Sequence, residues 1–220
     1  MRLIIGNKAS SSWSLRPWIV MHAFGIPFDE TLVQLRTTAT RDQLAKHSPS
    51  GKVPALIDGE TLVWDSLAIM EYLADKFPDK AIWPKDRLAR AHARCASAEM
   101  HSGFQALRSQ CGMAITRQYA ARVRSPEVLA DVARITQLWG EARTRFGAKT
   151  AQPFLYGAFS AADGMFAPVV SRFDTYAIPV DSATRDYMSA VMAHPSYQAW
   201  LKDARAEPWP ITEDDGETMR

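Results

Sequence analysis

Ser10, Ser11 and Ser12 stand together just before a helical pattern, in the run Ser10-Ser11-Ser12-Trp13-Ser14-Leu15-Arg16-Pro17-Trp18. A hydroxyl there lies beside a helix N-terminus, where free main-chain N–H groups and the helix dipole favour an anion. A bound thiolate is such an anion. A free thiol has a pKa of about 8.5, and lowering it to about 6.5 takes ~2.7 kcal/mol. A charge-assisted hydrogen bond supplies ~1.5–3 kcal/mol and a helix terminus ~0.3–1 kcal/mol. Together they suffice without a general base. Serine is also a preferred helix cap, so the local residues leave both roles open.

Two further stretches have the chemistry to hold a ligand. In Ser50-Gly51-Lys52-Val53-Pro54-Ala55-Leu56, a proline opens a strand, which suggests a cis Val53–Pro54 bond. Such a bond turns the Val53 main chain outward, where it can pair strand-fashion with an extended peptide. A plain proline at a strand start is the competing reading. In Trp64-Asp65-Ser66-Leu67, Asp65 and Ser66 fall between a strand and a helix. The Ser66 hydroxyl and the helix N–H groups can hold a carboxylate and Asp65 an ammonium. Helix capping by either residue is compatible with that. A fourth stretch, Ser160-Ala161-Ala162-Asp163, has capping-box spacing and reads as structural.

The elements that must position these residues are legible in outline. Leu3–Ile5 is a buried-strand candidate, and Trp18–Phe24 reads as a helix with Pro17 in its first turn. A weaker strand follows within 28–35, then a short helix over 40–46. Strands over 53–57 and 61–64 join at Asp58-Gly59, a hairpin signal. Leu67, Met70, Leu73, Ala74 and Phe77 recur at helical spacing until Pro78. The order is β-α-β-α-β-β-α, with strands joined through helices expected to be parallel and the last pair antiparallel. That is a thioredoxin-like α/β pattern. From Arg87 onward only helices are expected: one long helix over 87–111 with Leu88, Ala91, Cys95 and Ala98 on its inner face, then helices over 126–146, 160–176, 182–193 and 196–206. The expected organisation is an α/β domain over 1–78, a linker over 79–86 and an all-α domain over 87–220. The polar tail after Pro210 reads as loosely held.

Bulk properties narrow the partners. The chain has 220 residues, 47% of them hydrophobic and 23% charged, with a net charge of +2. That charge is too small to argue for nucleic acid or an anionic membrane. No run approaches the roughly 20 apolar residues that span a bilayer, and no signal-peptide pattern opens the chain. Cys95 and Cys111 have no metal-site spacing and read as two free, buried thiols in a reducing, cytoplasmic setting. No metal is implied.

Taken in order, these motifs resemble the cytosolic glutathione S-transferase superfamily over nearly the whole chain. Gly51 to Leu56, Asp65 to Ala74, Phe77-Pro78 and Trp83-Pro84 resemble its first-domain signature. Ser160-Ala161-Ala162-Asp163 resembles the capping motif of its helical domain, and His194-Pro195-Ser196-Tyr197 with Trp200-Leu201 its C-terminal helix. Counting back from Gly25-Ile26-Pro27-Phe28, the serine used by theta-type and zeta-type members falls on Ser11, and the second zeta serine on Ser12. Trp13 stands at the zeta cysteine and at the cysteine used by beta-type members, and Trp18 at a zeta arginine. No cysteine precedes Cys95, so the resemblance implies serine rather than cysteine chemistry.

The resemblance implies a homodimeric glutathione S-transferase acting in detoxification, with glutathione as co-substrate and no tightly bound cofactor. Ser11 is then the thiolate's hydrogen-bond donor, with Ser12 next in line. Lys52 faces the glycine carboxylate, Val53-Pro54 the cysteine main chain, and Asp65 with Ser66 the γ-glutamyl end. The partner is a small electrophile, taken as apolar. A basic stripe of Arg87, Arg90 and Arg94, with His101, Arg108 and Arg117 beyond, reads as solvated or dimer-facing, an acidic co-substrate being the sharper alternative. Glutathione-dependent isomerisation or dehalogenation, and a non-catalytic carrier or interaction module, are the alternative functions.

Overall fold

The computed structural model describes residues 1–209. A four-stranded mixed sheet is built from β1 (Arg2–Ile5), β2 (Asp29–Leu32), β3 (Ala55–Asp58) and β4 (Thr61–Val63), in the order β2-β1-β3-β4. Leu3, Ile4, Ile5, Ala55 and Leu56 are fully buried because this strand pair is central and covered on both faces. Helices α1 (Ser12–Ala23) and α3 (Ser66–Lys76) pack together beside the sheet, and α2 (Thr40–Ala45) contributes Leu44 to a small cluster with Ile4, Val33 and Ala55. This is the thioredoxin-like domain. The helical domain that follows comprises α4 (Arg87–Ser102), α5 (Gln105–Gln110), α6 (Pro126–Ala142), α7 (Ala161–Thr175), α8 (Ser182–Ala193) and α9 (Pro195–Ala206).

Several expectations are corrected. β1 and β2 are parallel, but β3 runs antiparallel to β1. The connection through α2 is no crossover: six helical residues reach only about 9 Å, and the chain re-enters the sheet at the end it left. α1 begins at Ser12, so Pro17 is interior and not in the first turn. Its missing N–H forfeits one helix bond, a loss carried by the burial of Leu15, Trp18, Ile19, Val20 and Met21 around it. The helix expected over 87–111 breaks in two. Gly103 ends α4 where a Cβ would lie 2.8 Å from the Glu99 carbonyl oxygen, and buried Phe104 takes a left-handed conformation at φ 60. Its inner face is Ala89, Ala93, Ala96, Ser97 and Met100, whereas Leu88 is 66% exposed. Small residues let α4 approach α7 closely, and that selects the alanine face over the leucine. Cys95 is accordingly exposed, and only Cys111 is buried. The tail beyond Pro210 lies outside the described residues.

α7 is the axis of the helical domain, with all but one of its residues buried. Gly164 on α7 lets α1 come close, since a Cβ there would stand 2.5 Å from Val20. The start of α7 is set by Asp163. Its carboxylate accepts from the Ser160 N–H at 2.9 Å, the Ser160 hydroxyl at 3.0 Å, the Leu155 N–H at 3.1 Å and the Tyr187 hydroxyl at 3.3 Å. Burial nevertheless pushes this carboxyl up to about 6, above the ~3.9 of an unfolded aspartate. The folded state therefore binds the proton more tightly, and the group's contribution is complete below about pH 4 and is lost as pH rises through 6. Asp163→Ala is expected to cost about 3–5 kcal/mol in urea unfolding, because buried donors lose their acceptor. The gap in stability between wild type and Asp163→Asn is expected to widen by on the order of 2 kcal/mol from pH 7 to pH 4.

Candidate functional site

β1 ends at Ile5, and residues 6–11 carry the chain to α1. Asn7 folds this loop: its carbonyl accepts from Ser10 N at 3.2 Å and Ser11 N at 2.8 Å, and its side chain accepts from Leu35 N at 2.7 Å. The loop is also held by α9. Lys8 Nζ lies 2.7 Å from Glu30 and 2.6 Å from Asp203, over the Trp18 and Trp200 rings. Trp200 Nε1 donates to the Lys8 carbonyl at 2.8 Å. The Glu207 carboxylate accepts from the Lys8 and Ala9 N–H groups at 2.5 and 3.0 Å.

Ser11 occupies the N-cap position of α1, but its hydroxyl does not cap the helix. It donates instead to Ser14 Oγ at 2.8 Å, and Ser14 Oγ also accepts the Gly6 N–H at 2.9 Å. Ser14 is fully buried. Since each hydroxyl both donates and accepts, the pair can reverse: Ser14 then donates to Ser11, and the Ser11 proton points outward. Ser11 and Ser12 line a cavity of about 430 Å³ together with Trp13, Val53, Arg108 and Arg172.

A second cavity of about 470 Å³ adjoins it, lined by Ser50, Lys52, Val53, Pro54, Trp64 and Asp65. Trp13, Val53 and Arg108 belong to both, so the two form one cleft with Trp13 between them. The Trp13 ring lies 4.3 Å from Arg16 Cζ and 4.4 Å from Arg108 Cζ, and edge-on to His101 at 5.2 Å. The Val53–Pro54 bond is cis, and the Val53 main chain has no intramolecular partner among the described residues. Lys52 is exposed at the rim. Asp65 caps α3 by accepting from Leu67 N at 2.9 Å, and its other oxygen lies 3.1 Å from His101 Nε2. Ser66, the first residue of α3, is 1% exposed and its hydroxyl has no partner.

The basic stripe divides. Arg87 and Arg117 are exposed, Arg90 bonds the Pro84 and Lys85 carbonyls, and Arg94 pairs with Glu71. Only His101 and Arg108 reach the cleft. Trp13 lines the cleft, whereas Trp18 and Trp139 are core. Sequence reasoning missed Ser14, Arg16 and Arg172 as site residues. The available signal was a lone arginine in each of two otherwise apolar helical stretches. Burial and neighbouring guanidinium groups hold Arg16 well below the ordinary arginine range, and burial first and then Arg108 push Arg172 down to about 10.

Comparison with known proteins agrees with this fold. Residues 10–76 match the family described as "Glutathione S-transferase, N-terminal domain". A protein described as "Probable maleylacetoacetate isomerase" from Caenorhabditis elegans is 34% identical over 100 residues, 46% of each chain. The dichloromethane dehalogenase of Methylorubrum extorquens is 40% identical over 65 residues, 29% of this chain and 23% of that one. The chain thus matches about half or less of the length of these curated relatives. Among solved structures, a glutathione transferase homolog from Burkholderia gl BGR1, with bound glutathione, superposes with a TM-score of 0.70 at 24% identity. The alignment covers 94% of this chain and 98% of that one, so the whole fold is shared.

A buried hydroxyl without a partner destabilises the protein that carries it. Ser66→Ala is therefore expected to raise the stability of the ligand-free protein by about 1 kcal/mol in urea unfolding. A loss of stability instead would show that the hydroxyl is satisfied.

Proposed function

We propose that the chain is a member of the glutathione S-transferase superfamily, whose N-terminal domain it matches over residues 10–76, and that it binds glutathione in this cleft and activates the thiol with Ser11. The observation that carries the reading is convergence. Ser11, the unpaired main chain of Val53, and Asp65 belong to three separate loops, yet all face one cleft. Lys52 takes the glycine carboxylate, and Val53 pairs with the cysteine main chain beside Pro54. Asp65 takes the γ-glutamyl ammonium, and the orphan Ser66 hydroxyl with the α3 N-terminus takes the α-carboxylate. Ser14 then donates to Ser11, and Ser11 donates to the thiolate, with Ser12 beside it at the start of α1. The helix N-terminus adds its partial positive charge.

The activated sulfur forms a bond to an electrophilic carbon, and the leaving group departs with its bonding pair. If the acceptor is a double bond, the sulfur adds, the adduct rotates, and the sulfur leaves again. That isomerising variant, and halide displacement, are favoured as alternatives by the relatives described as an isomerase and a dehalogenase. The same reading takes the protein as a cytoplasmic homodimer that detoxifies small electrophiles. No helix among the described residues is long and apolar enough to cross a membrane.

Ultraviolet titration of bound glutathione tests the reading. The bound thiol is expected to ionise well below its free value of about 8.5. Ser11→Ala is expected to restore a value near the free one and to lower kcat/KM by about 10- to 100-fold, with glutathione affinity changed by no more than about threefold. Ser14→Ala is expected to do the same more weakly. A bound thiol that titrates as free glutathione does would replace this reading with a carrier or interaction protein.

A further inference from the structure

The cavity beside Ser11 carries an unbalanced positive charge. Arg108 and Arg172 line it and Arg16 lies buried behind Trp13, the three coming from three helices, and none forms an ion pair with a carboxylate among the described residues. Their hydrogen bonds go to main-chain carbonyls, and Arg16 and Arg108 also lie over the Trp13 ring. Arg16 donates to Met165 and Ser12, Arg108 to His101 and Gly103, and Arg172 to Cys111 at 3.0 Å and Arg108 at 3.5 Å. Arg108 and Arg172 spend only one terminal nitrogen each on these bonds. Arg172 is 4% exposed, and its Nε is buried without a partner. Buried charges are normally paired, and a guanidinium fork is matched in shape and charge by a carboxylate.

The rest of the cavity wall is mixed: Trp13, Leu35, Val53 and Met113 give it an apolar side, and Arg36, Gln105 and Ser109 join the serines on its polar side. An apolar side facing polar groups that include the Arg108 and Arg172 guanidinium groups suits an amphiphilic anion and suits a neutral hydrocarbon less well.

We propose that the second substrate of this cleft is an electrophile carrying a carboxylate, which Arg108 and Arg172 bind while its apolar body rests against Trp13, Leu35 and Val53. The proposal rests on the glutathione reading above and takes the acidic co-substrate, the alternative raised by the sequence, in place of the apolar one. It also assigns Arg108 and Arg172 a second task. A thiolate and a carboxylate repel each other, and the guanidinium charges offset that repulsion as the two approach. In the reaction itself the sulfur–carbon bond forms while the bond to the leaving group breaks. The leaving group takes that electron pair, and the carboxylate keeps its charge throughout.

Binding of two synthetic glutathione conjugates, followed by calorimetry, tests this without requiring turnover. One is S-(4-carboxy-2-nitrophenyl)glutathione and the other its neutral 4-carbamoyl counterpart, with glutathione alone as reference. The acid conjugate is expected to bind wild type at least about tenfold more tightly than the amide. Arg172→Met and, separately, Arg108→Gln are expected to bring that ratio close to one. Arg108 is half-buried, so its variant carries the test if Arg172→Met fails to fold. Equal affinities for acid and amide in wild type would overturn the proposal, as would variants that weaken both conjugates equally. The latter result would assign the arginines to general stabilisation of the bound sulfur. Failure of glutathione itself to bind wild type would instead sink the thiolate reading on which the proposal stands.

Discussion

The first turn of α1 is the fixed point of this molecule. A guanidinium buried without a counter-ion is costly unless its donors are satisfied, and Arg16 is 1% exposed. Its bonds to Ser12 and Met165 tie the start of α1 to α7, 149 residues away in sequence. With Arg16 anchored, Trp13 is held against its guanidinium, and Ser11 and Ser14 keep their contact one turn apart. The geometry of the cleft is thus inherited from a helix that cannot rotate without exposing apolar side chains or stranding a charge.

That anchor has supports on both sides. α7 starts where Asp163 gathers four donors, and Gly164 in the next position allows α1 to lie close. From the other side, α9 grips the loop before Ser11 through Trp200, Asp203 and Glu207. A loop pinned by partners nearly 200 residues away moves only if those contacts open, so it has the character of a preorganised site. Among the described residues, the Val53 main chain, the Ser66 hydroxyl and the Arg172 Nε in and around this site are left without a hydrogen-bond partner.

Charge is distributed very unevenly. The chain carries a net +2, which suggests near neutrality, yet three arginines meet beside the serines with no acidic partner. Asp65 acts on Arg16 from a distance, and the side chain it contacts directly is His101. Electrostatic stabilisation of an anion depends on where charges sit and how dry they are, and net charge reports neither.

Local signals were enough for much of the fold. Pro54 and Pro78, the Asp58-Gly59 turn and the Ser160/Asp163 box are short-range devices whose effect needs no distant partner, and each marks a boundary or turn in the structure. Several residues of the cleft were legible for the same reason, since Ser11, Val53 and Asp65 sit in short motifs. Direction and face were not legible. Whether β3 runs with or against β1 depends on where α2 packs, and which side of α4 is inner depends on how closely α7 approaches. The sequence alone therefore determined the elements, their order and the short motifs at the strand and helix ends. Tertiary structure decided that Ser11 is free of capping, that Cys95 is exposed, and that Arg16, Arg108 and Arg172 meet. Each of these results from contacts between residues far apart along the chain, and no local pattern of residue types encodes such contacts.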